Sequence, residues 1–110
     1  MIDSVCAIVT RPAGEEQAVL GLRLAYAAHM AGQETTLVCI EDGVYNLLPT
    51  PGYLGEMLAG FLDESGRVLA DAASLAARGL ALGDLVNGVE VAETYELGEL
   101  LAEGPAACVF

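Results

Sequence analysis

The three cysteines are the residues of this 110-residue chain that could do the most chemistry. Cys6, Cys39 and Cys108 form no C-x-x-C pair and have no regular spacing, which argues against a zinc site or a disulfide framework. Cys6 lies within an apolar run and is expected in the core. Cys39 precedes Glu41 and Asp42, and these carboxylates are expected to raise the pKa of its thiol and make it inert.

Cys108 and His29 are the next candidates for reactive side chains. Cys108 lies two residues from the end of the chain in a predicted strand, so a core position is expected, although fraying of the terminus would make it the most accessible thiol. His29 is the sole histidine and has no serine, cysteine or acid at a spacing that suggests a catalytic triad. We therefore predict that His29 lies on a helix surface or at an interface.

Asp71 opens a segment with the pattern of a short helix. Aspartate is a preferred N-cap, an apolar stretch follows it, and Gly79 is placed to end the helix. Backbone N–H groups at such an entry stabilise a thiolate or a carboxylate alike. Capping is the favoured interpretation of Asp71. The alternative is that its carboxylate lines a pocket at the carboxyl end of a sheet, where ligand sites of open α/β folds concentrate.

Three weaker signals could indicate ligand binding. Arg78 could hold an anion beside the short helix, although an arginine in the last turn also complements the helix dipole without a ligand. Glu41 and Asp42 could bind a divalent cation, but two adjacent carboxylates alone are weak evidence, and we predict no metal site. Gly14 stands alone before two glutamates, so a phosphate-binding loop is absent and no cofactor is predicted.

Five short apolar runs alternate with helical patterns, which is typical of a parallel sheet covered by helices on both faces. The predicted strands are residues 4–10, 35–40, 67–70, 89–92 and 106–110. Four helices are predicted. The first covers residues 15–31, and the second ends at Gly66 and carries an apolar stripe of Leu54, Met57, Leu58, Phe61 and Leu62. The third follows Asp71, and the last is capped by Thr94 and stops at Gly104-Pro105. We expect strand 89–92 near an edge of the sheet and strand 106–110 in its interior.

The first predicted helix is apolar on most of its circumference. Between Ala18 and Met30 only Arg23 and His29 carry strongly polar side chains. One face is expected to meet the sheet and another a second subunit. The alternative is that the many alanines raise the apolar count with little energetic consequence.

Composition limits the classes of function. A chain of 110 residues fits one domain spanning residues 1–110, and a hydrophobic content of 55% exceeds what its own core should need. Sixteen acidic residues against four arginines give a net charge of -12, which repels nucleic acid and anionic membrane surfaces. The first residues lack the basic segment of a signal peptide, and the first apolar run is too short to span a bilayer, so we predict a cytoplasmic protein.

Several motifs follow one another in a characteristic order. They are Pro12 and Gly14 after the first strand, Gly21-Leu22, Asp42-Gly43-Val44-Tyr45, Leu47-Leu48-Pro49, Ala72-Ala73-Ser74-Leu75 and Arg78-Gly79-Leu80. In this order they resemble the DsrE/DsrF-like family, and most of all its TusC/DsrF branch of sulfur-relay subunits. The resemblance implies a three-layer α/β/α domain with a five-stranded parallel sheet, which assembles into homo- or hetero-oligomers that pass persulfide sulfur between proteins.

In catalytic members of the family, a cysteine just before the third helix carries the sulfur, whereas this chain has Asp71 at that position. The resemblance therefore implies an accessory, non-catalytic subunit that works with DsrE-like partners. Its expected pocket residues are Asp71, Arg78, Asp42, Gly43 and Gly14.

Two alternatives to this role stay open. The first is a sulfurtransferase that uses Cys39 or Cys108 as its carrier thiol. The second is a homo-oligomeric small-molecule binder in which Asp71 contacts a cationic or hydroxylated ligand.

Overall fold

The computed structural model describes residues 3–110, in which five strands alternate with four α-helices. The strands are β1 (Ser4–Val9), β2 (Glu34–Cys39), β3 (Arg67–Asp71), β4 (Glu90–Ala92) and β5 (Ala106–Val109). The helices are α1 (Glu16–Met30), α2 (Tyr53–Asp63), α3 (Ala72–Ala77) and α4 (Thr94–Ala102), and two 3₁₀ helices cover Glu41–Leu47 and Leu82–Asp84. The strands agree with the predicted ones to within one residue at each end. The first 3₁₀ helix lies between β2 and α2.

All neighbouring strands are parallel, and their order in the sheet is β4-β3-β2-β1-β5. The chain moves in one direction from β1 to β4 and then returns across the whole sheet to β5. Because crossover connections between parallel strands are right-handed, helices that connect strands in opposite directions across the sheet lie on opposite faces. Helices α1, α2 and α3 therefore lie on one face and α4 lies on the other. The predicted three-layer α/β/α fold is confirmed.

The larger core lies on the face that carries α1, α2 and α3. Leu22 of α1 and Leu58 and Phe61 of α2 are at most 3% exposed there. The strand residues that they cover are Ala7, Val9, Leu37, Cys39, Val68 and Ala70. Because these strands are short apolar runs without alternation, both of their faces need cover, and this face receives most of it.

The opposite face has far less cover in the described chain. Leu97 of α4 packs there with four strand residues, Cys6, Val38, Leu69 and Ala92, while Ile8 and Ile40 stay only partly buried. A single helix with its side chains is about 10 to 12 Å wide, whereas five strands side by side span about 19 Å. One short helix is therefore too small to cover this face, and the part over β1 and the end of β2 stays open.

Two predictions about the last third of the chain were wrong. Among residues 3–110, strand β5 pairs only with β1 and forms an edge of the sheet, so Cys108 is exposed and not in the core. Thr94 is the first residue of α4 and not its cap. Glu93 holds the N-cap position, and its backbone N–H donates to Oε1 of Glu96 at 2.9 Å.

Helix α1 buries one face and exposes another. Gly21, Leu22 and Ala25 face the sheet and are buried, whereas Leu20 and Leu24 on the outer side are 48% and 38% exposed. Among residues 3–110, no helix combines the length and the apolar character needed to cross a bilayer.

His29 connects α1 to the end of α2. Its Nε2–H donates to the backbone carbonyl of Glu64, and its ring meets Phe61 edge-on with centroids 5.3 Å apart. The histidine is therefore a packing residue between two helices of the same chain.

Candidate functional site

A cavity of about 370 Å³ lies at the carboxyl edge of the sheet, on the face that α4 covers incompletely. Its apolar wall consists of Cys6, Ile8, Val38 and Ile40 from the strands and Leu97, Gly98 and Leu101 from α4. Its polar wall consists of Glu41, Asp71, Ser74 and Thr94, which follow or end β2, β3 and β4. Ligand sites of open parallel sheets occur at this edge.

Asp71 is the N-cap of α3 and also part of the cavity wall. Its Oδ2 accepts hydrogen bonds from the backbone N–H of Ser74 at 3.0 Å and from the Ser74 hydroxyl at 2.7 Å. Its Oδ1 accepts from the Thr94 hydroxyl at 2.6 Å. Burial raises the pKa of Asp71, but the hydrogen bonds from Thr94 and Ser74 outweigh it and leave the pKa below its usual value. Asp71 is therefore an ionised, almost fully buried carboxylate.

Ser74 extends this network to the end of β2. Its hydroxyl accepts a hydrogen bond of 2.7 Å from the backbone N–H of Glu41, a residue with a left-handed φ of 51°. The network thus joins the segments that follow β2, β3 and β4. The spacing Asp-x-x-Ser could have identified Ser74, since it places a hydroxyl beside the cap, but no local signal pointed to Thr94.

Arg78 does not line the cavity, and its charge is already paired. Its Nε and Nη2 donate to Oδ1 of Asp42 at 3.0 and 2.9 Å, and its Nη1 donates to the carbonyl of Ser74 at 3.0 Å. Gly79 follows with φ 68°, and Leu80 N–H donates to the Leu75 carbonyl, which closes α3 as predicted. Asp42 and Arg78 therefore tie the first 3₁₀ helix to the end of α3.

The two glycines expected in the pocket lie outside the cavity too. A Cβ at Gly43 would lie 1.9 Å from the carbonyl oxygen of Val9, so glycine is needed there for close backbone packing. Gly14 has φ 95° in a turn with open space around it. In the described part of the chain, no group of three or more His, Cys, Asp or Glu residues could hold a metal ion. Of the five expected pocket residues, only Asp71 lines the cavity.

The three thiols differ sharply in access to solvent. Cys39 is fully buried, and burial raises the pKa of its thiol to about 12. The predicted cause, the neighbouring carboxylates, was wrong. Cys6 lies under the cavity, and burial raises the pKa of its thiol as well. Cys108 is exposed on the edge strand and is the thiol that a reagent can reach in the folded chain.

The sequence profile described as the DsrE/DsrF-like family matches residues 3–110. The chain belongs to the DsrE/DsrF-like family. It is 32% identical to the uncharacterized protein MK0008 of Methanopyrus kandleri, with 99% of this chain and 95% of that protein covered. Protein MJ0989 of Methanocaldococcus jannaschii is 30% identical over 94% of this chain and 95% of its own length.

Two solved structures share this fold over nearly the whole chain. The crystal structure of the YchN protein from E. coli superposes with a TM-score of 0.86 and 25% identity, covering 100% of both chains. The structure of MTH1491 from Methanobacterium thermoautotrophicum gives a TM-score of 0.79 at 23% identity, covering 97% of this chain and 98% of the other. Membership of the DsrE/DsrF-like family indicates a function related to sulfur relay, and the superposed structures have the same α/β fold.

Proposed function

We propose that this chain is an accessory, non-catalytic subunit of a DsrE-type sulfur-relay assembly, related to the TusC/DsrF subunits. Family membership supports the sulfur-relay context. The observation that carries the proposal is Asp71, which stands at the helix entry where the resemblance places the sulfur-carrying cysteine. Sulfur carriage needs an S–S bond to a thiolate, and a carboxylate offers no sulfur atom for that bond. The subunit therefore supports the transfer without carrying the sulfur.

The surroundings of Asp71 would stabilise either a carboxylate or a thiolate at this position. The backbone N–H of Ser74 and the hydroxyls of Ser74 and Thr94 all donate to the carboxylate. A cysteine thiolate at position 71 of this chain would meet the same three donors. The chain thus retains the electrostatics of a sulfur site without its nucleophile, which favours an accessory role over an unrelated one.

The outer stripe of α1 supports assembly with a DsrE-like partner. Leu20 and Leu24 lie one turn apart on the side of α1 that faces away from the sheet, and both are exposed together with Ala27 and Ala31. Contiguous apolar residues on a surface are typical of protein–protein contacts. We propose this stripe as the contact with a second DsrE-like subunit, in a homo- or hetero-oligomer.

The mass of the protein in solution tests this role. We expect the purified chain, alone or mixed with a DsrE-like subunit encoded beside it, to elute as an oligomer in size-exclusion chromatography with light scattering. Substitution of both Leu20→Glu and Leu24→Glu should reduce the mass to that of a monomer, while the matched change Leu82→Glu, at an exposed leucine of the second 3₁₀ helix, should not. A stable monomer at micromolar concentration with no such partner would refute the proposal.

The exposure of Cys108 favours one alternative, a sulfurtransferase that carries sulfur on this thiol. Cys39 lacks the access and the thiolate form that such a carrier needs. Incubation with a sulfane donor followed by mass spectrometry separates the two roles. A gain of one sulfur atom that Cys108→Ser removes would support the alternative, and no gain on any cysteine would support the accessory role.

A further inference from the structure

We propose that the cavity between α4 and the open part of the sheet binds a small organic cation with an apolar body, such as a short alkylammonium ion. The ammonium group would lie against Asp71 and Glu41, and the alkyl group against Ile8, Ile40 and Leu101. This inference goes beyond the subunit role and does not depend on it.

The dimensions and the lining of the cavity fit such a ligand. Its volume of about 370 Å³ lies at the small end of the range for sites that bind small molecules, roughly 300 to 1,000 Å³. Seven of its lining residues are apolar or glycine. Each methylene group buried against such a wall raises affinity roughly fourfold, so a branched chain of a few carbons is the matching body.

The charges of the cavity select a cation. Two of its lining residues, Glu41 and Asp71, are acidic, and none is basic. The ion pairs found among residues 3–110 join Arg67 to Glu90 and Arg78 to Asp42, and neither pair touches the cavity. An anion of the same shape, including a persulfide, would meet only repulsion from the carboxylates.

Asp71 still has capacity for a ligand. A carboxylate offers about four acceptor positions, and its neutral donors, all from Ser74 and Thr94, occupy three. The remaining position can accept from an ammonium group. A charge-assisted hydrogen bond of this kind is about twice as strong as a neutral one.

The backbone conformation of Glu41 explains how a second acidic residue comes to lie at the cavity. Its φ of 51° is rare for residues other than glycine, and the hydrogen bond from its N–H to Ser74 holds it in this conformation. Such conformations persist where the surrounding structure enforces them, and they cluster at ligand sites. Here the enforced conformation places a second acidic residue at the cavity.

Three probes of equal shape test the inference. 3-Methylbutylammonium, 3-methylbutan-1-ol and 4-methylpentanoate share the 3-methylbutyl chain and differ only in the charge and type of their polar end. In NMR titrations of the ¹⁵N-labelled full chain, we expect the cation to bind roughly tenfold or more tightly than the alcohol, and the carboxylate not to bind. The shifted amides should include those of Ser74, Thr94 and Gly98. Equal binding of all three probes, or shifts confined to other surfaces, would overturn the proposal.

Two variants tie the binding to this cavity. A Cβ added at Gly98, a residue of the cavity wall, meets no atom within 4 Å, so there is room for a side chain to begin there. We expect Gly98→Leu to occupy part of the cavity and to weaken binding of the cation at least tenfold. The matched change Ala102→Leu, at an exposed position of the same helix, should leave binding unchanged. Asp71→Asn keeps an N-cap acceptor but loses the charge, so it should remove the preference for the cation over the alcohol.

The remaining outcomes decide against a small-molecule ligand. Unchanged binding in Gly98→Leu would place the ligand elsewhere. If the wild type binds none of the three probes and Gly98→Leu changes the mass of the oligomer, the cavity is a contact site for a partner chain. Because Gly98→Leu does not alter the cap of α3, the test stands even if Asp71→Asn fails to fold.

Discussion

The hydroxyl of Thr94 donates a hydrogen bond of 2.6 Å to Oδ1 of Asp71, a residue 23 positions earlier in the chain. Asp71 ends β3 and caps α3, while Thr94 begins α4 after β4. One carboxylate therefore fixes the entrances of two helices that lie on opposite faces of the sheet. With Ser74 bonded to the backbone of Glu41, this small network sets the shape of the polar wall of the cavity.

Removal of the Thr94 hydroxyl should destabilise the fold measurably. We expect Thr94→Val to lower the free energy of unfolding by about 1 to 2 kcal/mol, because a partly buried hydrogen bond to an ionised carboxylate is lost. Thr94→Ser retains the donor and should cost much less. Urea denaturation near neutral pH measures both variants. Equal stability of the serine and valine variants would show that the hydroxyl contributes nothing.

The pKa of Asp71 predicts how stability changes in acid. Because the folded pKa lies below the ordinary value of 3.8, the ionised form favours the folded state, and this contribution is fully present well above pH 3.8. It is lost as the pH falls through 3.8 toward the lower folded pKa. The unfolding temperature of the wild type should therefore approach that of Asp71→Asn as the pH falls through this range.

Glu99→Gln provides the control for this acid series. Glu99 is an exposed residue of α4 outside the cavity. The difference in unfolding temperature between Glu99→Gln and the wild type should therefore not follow the acid dependence expected for Asp71→Asn. A constant difference between wild type and Asp71→Asn across the acid range would contradict the lowered pKa of Asp71 in the folded chain.

Local signals in the sequence predicted the elements and the cap, because short-range physics decides them. Continuous apolar runs mark strands buried on both faces, and Asp71 before an apolar stretch marks a helix entry. The closing role of Gly79 follows from the left-handed conformation that glycine adopts readily. These features depend on only a few neighbouring residues, so the sequence alone predicts them.

The cavity and its polar wall depend on contacts between distant residues. Whether β5 joins the sheet at an edge or inside depends on the return of the chain across the sheet, and no local pattern encodes that direction. The exposed position of Cys108 was therefore missed. The ion pair between Arg78 and Asp42, which are 36 positions apart, could not be predicted for the same reason. Arg78 was therefore wrongly expected in the pocket.

Thiol accessibility should separate the three cysteines. In the folded chain, we expect an aromatic disulfide reagent to label Cys108 alone, because Cys6 and Cys39 are buried and burial raises the pKa of both thiols. In denaturant, all three should react. The count of released chromophore per chain measures this, and Cys108→Ser should abolish labelling of the folded protein. Rapid labelling of that variant without denaturant would contradict the buried positions.

Asp71→Cys tests whether the cap site of α3 still suits a sulfur nucleophile. The donors from Ser74 and Thr94 should lower the pKa of the new thiol below the usual cysteine value of about 8.5. The rate of alkylation as a function of pH, in a background with Cys108→Ser, gives this pKa. The cap should weaken by about 1 kcal/mol, since a thiolate accepts hydrogen bonds less well than a carboxylate.

A lowered pKa predicts that the same variant accepts sulfur from a sulfane donor, whereas the Cys108→Ser background without the new cysteine does not. Adding Thr94→Val should then raise the pKa again and slow the loading, because one donor to the thiolate is removed. If the new thiol titrates at or above the usual value, the three donors do not favour an anionic sulfur. That result would contradict the proposal that this site keeps the electrostatics of a persulfide-carrying site.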